Sequence, residues 1–144
     1  MSDKLREMLK RHEDLRLKPY KDSRGIWTVG YGHNLEAHGE PIPESISLEQ
    51  AEKYLDDDIA RARRNCELFI PGWDDLDEVR RCVLVDMCFN LGLAGLIKFR
   101  IMLRCLQAGL YSKAAEAMLD SLWATQVGGR ATELSKMMET GEWQ

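Results

Sequence analysis

Glu13, Asp22 and Thr28 fall within one short polar stretch, H-E-D-L-R-L-K-P-Y-K-D-S-R-G-I-W-T-V-G-Y-G-H. Two carboxylates and a hydroxyl suffice to hydrolyse a glycosidic bond. One acid protonates the leaving oxygen, and the other activates a water on the opposite face of the sugar. Glu13 is the candidate acid, Asp22 the carboxylate that holds the water, and Thr28 the water's second partner. A general acid must keep its proton near neutral pH, which burial or a neighbouring negative charge promotes. Taken singly, a Glu at a helix end, an Asp in a turn and a Thr in a strand are ordinary structural residues.

Positioning these three requires a helix, a turn and a strand in succession. Leu5, Met8, Leu9 and His12 follow the rhythm of one helix face, which predicts a helix from an N-cap at Asp3 to His12 or Glu13. Leu15, Leu17, Tyr20 and the run Ile26 to Val29 read as strands joined by a turn at Ser23-Arg24-Gly25. Gly30 and Gly32 flank Tyr31, where a kink or bulge is expected. Residues 34–46 contain Gly39, Pro41 and Pro43 and read as loop. Ser47 to Gln50 is a capping box. It opens a long helix with Leu48, Ala51, Leu55, Ile59, Ala62 and Cys66 on one side.

Pro71-Gly72 breaks the chain, and helices are expected over about 75–90, 93–97, 99–107, 112–124 and 130–140. The expected fold is α+β and predominantly helical, a single two-lobed domain. A small N-terminal β lobe covers about 14–46 and an inter-lobe helix about 47–66. A helical lobe covers about 67–144 together with the first helix. A cleft between two such lobes is a usual ligand site.

Composition narrows the class. The 144 residues are 44% hydrophobic and 31% charged, as in a globular domain with a real core. The formal charge of −4 and pI near 5.4 do not suit a general nucleic-acid surface, and the Arg61/Arg63/Arg64 and Arg80/Arg81 clusters read as solvated helix faces. No apolar run approaches the roughly 18 residues that span a bilayer. The N-terminus is too charged for a signal peptide, so the chain is expected to be cytoplasmic on synthesis. Cys66, Cys82, Cys88 and Cys105 lie in apolar helical patterns without C-x-x-C spacing, which predicts buried, reduced thiols. Trp27, Trp73, Trp123 and Trp143 read as packing residues, with Trp27 and Trp123 the candidates for a sugar-stacking platform.

The pattern E-x8-D-x5-T, with L-R-L-x-x-Y-K-D before the turn and T-V-G-Y-G-H after it, resembles the phage-type lysozymes of glycoside hydrolase family 24. The resemblance runs through Ser47 to Asp58, Leu76 to Cys82, Phe89-Asn90-Leu91-Gly92, Trp123-Ala-Thr-Gln126-Val-Gly-Gly-Arg130 and Thr140 to Trp143, nearly the whole chain. It implies Glu13 as acid, Asp22 as the water-orienting carboxylate and Thr28 as its helper. It also implies glycan contacts at Asn34, Phe89 and Asn90. Gln126 would face the active site, and Arg130 would be a support that positions Glu13. His33 is not a base in that pattern but the partner of Asp58 in a salt bridge. This chain departs from the family in a shorter segment between His33 and Ser47, in Asp14 where a Gly is common, and in lacking a basic tail.

What the resemblance implies is an endolysin, a muramidase cutting the β-1,4 bond between N-acetylmuramic acid and N-acetylglucosamine in bacterial peptidoglycan. It would act as a monomer without metal or cofactor, reach the wall through a holin-type membrane lesion and lyse the cell. Inversion at the anomeric carbon would require the two carboxyl groups to lie about 6.5–9.5 Å apart. A lytic transglycosylase needs the acid but no water site, so Asp22 and Thr28 argue against it. The intact triad argues likewise against a non-catalytic glycan-binding module on the same fold.

Overall fold

The computed structural model describes residues 3–144. Two compact units are divided between Arg61 and Ala62. The fold is α+β and mostly helical, with one small antiparallel sheet near the N-terminus.

In the first unit, α1 (Asp3–His12) buries Leu5, Met8 and Leu9. Each such side chain contributes about 2 kcal/mol. The polar side of α1 is pinned to α2 (Leu48–Phe69) by Arg6–Asp56 at 2.7 Å and Lys10–Glu52 at 2.8 Å. Part-exposed pairs of this kind are worth about 0–1 kcal/mol, so they set the approach of the two helices more than they hold it. Asp3 is already helical and carries its charge in the first turn, where it complements the helix dipole; the capping position falls outside the described residues. At the start of α2 the serine half of the expected capping box forms, with Gln50 N–H donating to Ser47 Oγ at 3.0 Å.

The sheet has the order β1-β2-β3, with β1 Leu15–Lys21, β2 Trp27–Tyr31 and β3 His33–Asn34. Pro19 is tolerated because β1 is an edge strand, and the register is irregular between Arg16 and Tyr20. The central strand β2 is the buried one. The short β3 was expected to be loop from Asn34 onward. Its pairings, Thr28 with Asn34 and Val29 with His33, are set by the tight reversal at Gly32 and not by β-propensity.

In the second unit, α3 (Glu78–Leu96) is capped by Asp77, whose side chain accepts from Arg80 N–H at 3.1 Å. Every residue from Cys82 to Cys88 is buried, as befits a helix at the centre of a core. The expected pieces at 75–90 and 93–97 are the two arms of α3, separated by a kink where Gly92 leaves the helical conformation at φ 75°, ψ 164°. There follow α4 (Arg100–Gln107), α5 (Tyr111–Leu119), α6 (Leu122–Val127) and α7 (Gly129–Thr140). The single helix expected over 112–124 is thus two. Ser121 ends one by donating to Met118 O at 2.7 Å and starts the next by accepting from Ala124 N–H at 3.1 Å. Arg80 closes α7 by donating to Met138 O at 2.7 Å and Glu139 O at 2.9 Å, a cation where the helix dipole is negative.

All four cysteines are free thiols; Cys66, Cys82 and Cys88 are buried, but Cys105 is only half-buried, contrary to expectation. Among the described residues, no single helix is long and apolar enough to cross a membrane.

Candidate active site

The turn between β1 and β2 is organised by one residue, Asp22. Its N–H donates to Ile26 O at 2.9 Å, and its carbonyl accepts from Gly25 N–H at 2.9 Å. Its carboxylate Oδ1 accepts from Arg24 N–H at 2.8 Å and from Ile26 N–H at 3.0 Å. Gly25 supplies the left-handed backbone, φ 77°, that closes the turn. Two backbone donors on one oxygen fix the carboxylate, and among the described residues the other oxygen, Oδ2, has only the exposed Arg24 guanidinium at 3.9 Å. Thr28 is buried on β2, and its hydroxyl donates to Ile26 O at 2.9 Å. A hydroxyl has one hydrogen, so with that hydrogen committed Thr28 Oγ1 meets any further partner as an acceptor. Ile26 therefore ties the two residues together through its backbone alone.

Glu13 lies one residue beyond α1, its N–H still bonded to Leu9 O at 2.8 Å. Pairing of Leu15 with Tyr31 brings Gly32 beside it. Gly32 has φ 70°, and a Cβ there would stand 2.5 Å from Glu13 Oε1. The kink expected around Tyr31 is thus a cradle that only glycine leaves open for the Glu13 carboxyl. Tyr20 belongs to the same neighbourhood. Burial first, then the charges of Glu13, Asp22 and Asp14, raise its phenol pKa, opposed by Arg16. Tyr20 is also the cross-strand neighbour of Thr28. The sequence presented Tyr20 as a strand former and as part of the L-R-L-x-x-Y-K-D pattern, without showing that Glu13 lies near it.

His33 pairs with Asp58 as expected, Nδ1 to Oδ2 at 2.7 Å, and its other nitrogen meets Glu40 Oε1 at 2.9 Å. Tyr54 stacks on the ring at 3.9 Å with an interplanar angle of 4°. Burial works against the imidazolium, but hydrogen bonds and charge from Asp58 and Glu40 outweigh it, and the His33 pKa is raised. Asp58 Oδ1 in turn accepts from Arg61 at 3.0 Å. Glu40 has no sequence signal, because it sits in a loop whose course is decided by tertiary packing. Asn34 turns its carbonyl oxygen inward to accept from Glu36 and Ala37 N–H, both at 2.9 Å, leaving its amide hydrogens for other partners.

The remaining candidates stand in the second unit. Asn90 Oδ1 accepts from Trp123 Nε1 at 2.7 Å, which fixes the amide and assigns the buried Trp123 to packing. Phe89 is half-buried and Gln126 exposed. Arg130 on α7 is bonded to the fully buried Asp86 of α3 at 2.9 Å. Asp86 was not singled out in the sequence, where it is one acid inside an apolar run. Among the described residues, no group of three or more His, Cys, Asp or Glu is arranged to hold a metal ion.

A sequence model of the family described as phage lysozyme matches residues 10–138. An endolysin of Acyrthosiphon pisum secondary endosymbiont phage 1 is 32% identical over 142 residues, covering 96% of this chain and 90% of that one. The pre-baseplate central spike protein Gp5 of Enterobacteria phage T4 is 34% identical over 157 residues, covering 94% of this chain but only 27% of the spike protein. A probable T4-type lysozyme of Dictyostelium discoideum is 24% identical over 167 residues, with 98% and 96% covered.

Proposed function

Because the chain belongs to the phage lysozyme family and is a lysozyme, we propose that it hydrolyses the β-1,4 bond between N-acetylmuramic acid and N-acetylglucosamine in bacterial peptidoglycan, with inversion. Glu13 protonates the glycosidic oxygen. A water donates one hydrogen to Asp22 Oδ2 and the other to Thr28 Oγ1, which turns its lone pair toward the anomeric carbon. The observation that carries this is the turn itself: Asp22 Oδ1 and the Thr28 hydrogen are both committed to the backbone, so two acceptors are held open on one rigid unit. Preorganised acceptors of this kind need no rearrangement as charge develops. Asn34, Phe89 and Asn90 contact the glycan, Asn34 through its free amide hydrogens. By the family resemblance Gln126 would face the site and Arg130 would position Glu13, and we propose that neither metal nor cofactor takes part.

The biological role is that of an endolysin, a monomer made in the cytoplasm and released to the wall through a holin-type membrane lesion, leading to lysis. A second reading is favoured by the match to the phage spike protein, of which this chain spans about a quarter: the same chemistry carried on a spike assembly.

The test is clearance of outer-membrane-stripped cells by wild type and Glu13→Gln, with NMR of the first-formed sugar. Loss of the acid should slow turnover by about 10²–10⁴-fold. A folded Glu13→Gln protein with near wild-type activity rejects the assignment, retained anomeric configuration rejects inversion, and a 1,6-anhydro product identifies a transglycosylase. A monomer by light scattering supports the endolysin reading over the spike one.

A further inference from the structure

An open groove of about 1010 Å³ lies in the second unit between the end of α3, α4, α5 and α6. Leu122 and Ile101 stand on it, 73% and 68% exposed. Among the described residues Leu122 is the most exposed large apolar side chain, and Ile101 is matched only by Leu68, which lies off the groove. The groove also carries Lys98, Arg100, Arg104 and Lys113 against Glu116 and Asp120, four positive charges and two negative, a local balance of +2 on a chain of net charge −4. Among the described residues none of these four cations forms a salt bridge, whereas Arg6, Lys10, Arg61, Arg63, Arg80 and Arg81 all sit against carboxylates.

We propose that this groove face is a docking surface for a bilayer carrying anionic phospholipid. Protruding aliphatic side chains flanked by uncompensated cations match a surface that offers phosphates at its edge and hydrocarbon just beneath. A protein partner fits less well. Such interfaces favour aromatic residues and deplete Lys, while here the exposed tips are aliphatic, Trp123 is buried and two of the four cations are Lys. The acidic chain as a whole is repelled by an anionic membrane, so binding depends on this face and orients the protein upon it. The surface adjoins the proposed glycan contacts through Trp123, which is bonded to Asn90, but the proposal does not rest on that chemistry.

Co-sedimentation of the full chain with large vesicles tests this, comparing phosphatidylcholine alone with a phosphatidylglycerol/phosphatidylcholine mixture. Binding is expected only to the anionic vesicles and should weaken as salt rises. Each cation near a charged bilayer strengthens binding about fivefold, so Arg100→Gln with Arg104→Gln should lower the partition coefficient about 25-fold. All the altered side chains are solvent-exposed, so the fold should persist, and an unchanged melting temperature checks this. Leu122→Gln with Ile101→Gln should reduce binding at constant charge. Equal binding to both vesicles, no binding to either, or anionic binding that the arginine variants leave intact overturns the proposal. A dimer that dissociates in the Leu122→Gln variant overturns it too, by assigning the face to a second copy of the chain.

Discussion

Replacing His33 with Asn would remove the cation that sits between Asp58 and Glu40 and leave two carboxylates facing the space it filled. Removing one member of a buried ion pair costs about 3–5 kcal/mol, most of it from the charge left behind. The lower end applies here, because Arg61 still reaches Asp58 at 3.0 Å and the Glu40 side chain is 27% exposed. Loss of the stacking on Tyr54 adds about 0.5–1 kcal/mol. The sum, about 3–4 kcal/mol, corresponds to a fall in melting temperature on the order of 10 °C for a chain of this size.

The pH dependence carries the sharper signature. The folded pKa of His33 is raised above its ordinary 6.5, so its stabilisation is fully present below that value and is lost as pH rises through the folded pKa. The wild type should therefore lose stability on going from pH about 6.5 upward in a way His33→Asn does not. Thermal melts followed by circular dichroism from mildly acidic to alkaline pH measure both effects. Parallel curves for the two proteins, or a melting temperature lowered by less than about 3 °C, would refute the doubly bonded imidazolium.

Gly32→Ala would place a methyl group where Glu13 Oε1 now lies, on a backbone of φ 70°. The flexible carboxyl yields before the fold does, so the expected stability loss is only about 1–2 kcal/mol while turnover falls on the order of 10²-fold from misplacement of the acid. Full activity in this variant would dismiss the cradle. Burial pushes the Cys82 thiol up to about 12, and the hydrogen bond that the Cys66 thiol donates to Cys88 sulfur, followed by burial, raises Cys66 as well, so neither supplies thiolate near neutral pH. A disulfide-exchange reagent should modify half-exposed Cys105 first in the native protein; mass spectrometry after brief labelling would show otherwise if Cys66 or Cys82 reacts as fast.

Local physics determined much of this protein before any folding. Asp22 and the Ser23-Arg24-Gly25 turn close through hydrogen bonds spanning at most four residues, so sequence spacing alone specifies them. The same is true of the Ser47 cap and the apolar faces of α1 and α2. The boundary that sequence misplaced lies where two local preferences compete: Ser121 both ends one helix and begins another, whereas the break at Gly92 falls where the sequence put it. Tertiary structure alone decided the rest. Glu40 reaches His33 only because a loop of no regular pattern is folded back, and Asp86 is burdened with a buried charge only because α7 delivers Arg130 to it. Tyr20 is two residues from Asp22, but it feels the charge of Glu13 only because β1 and β2 fold its strand beside that residue. The groove of the second unit has no sequence signature at all, since its cations and its two aliphatic tips come from different helices that only packing assembles.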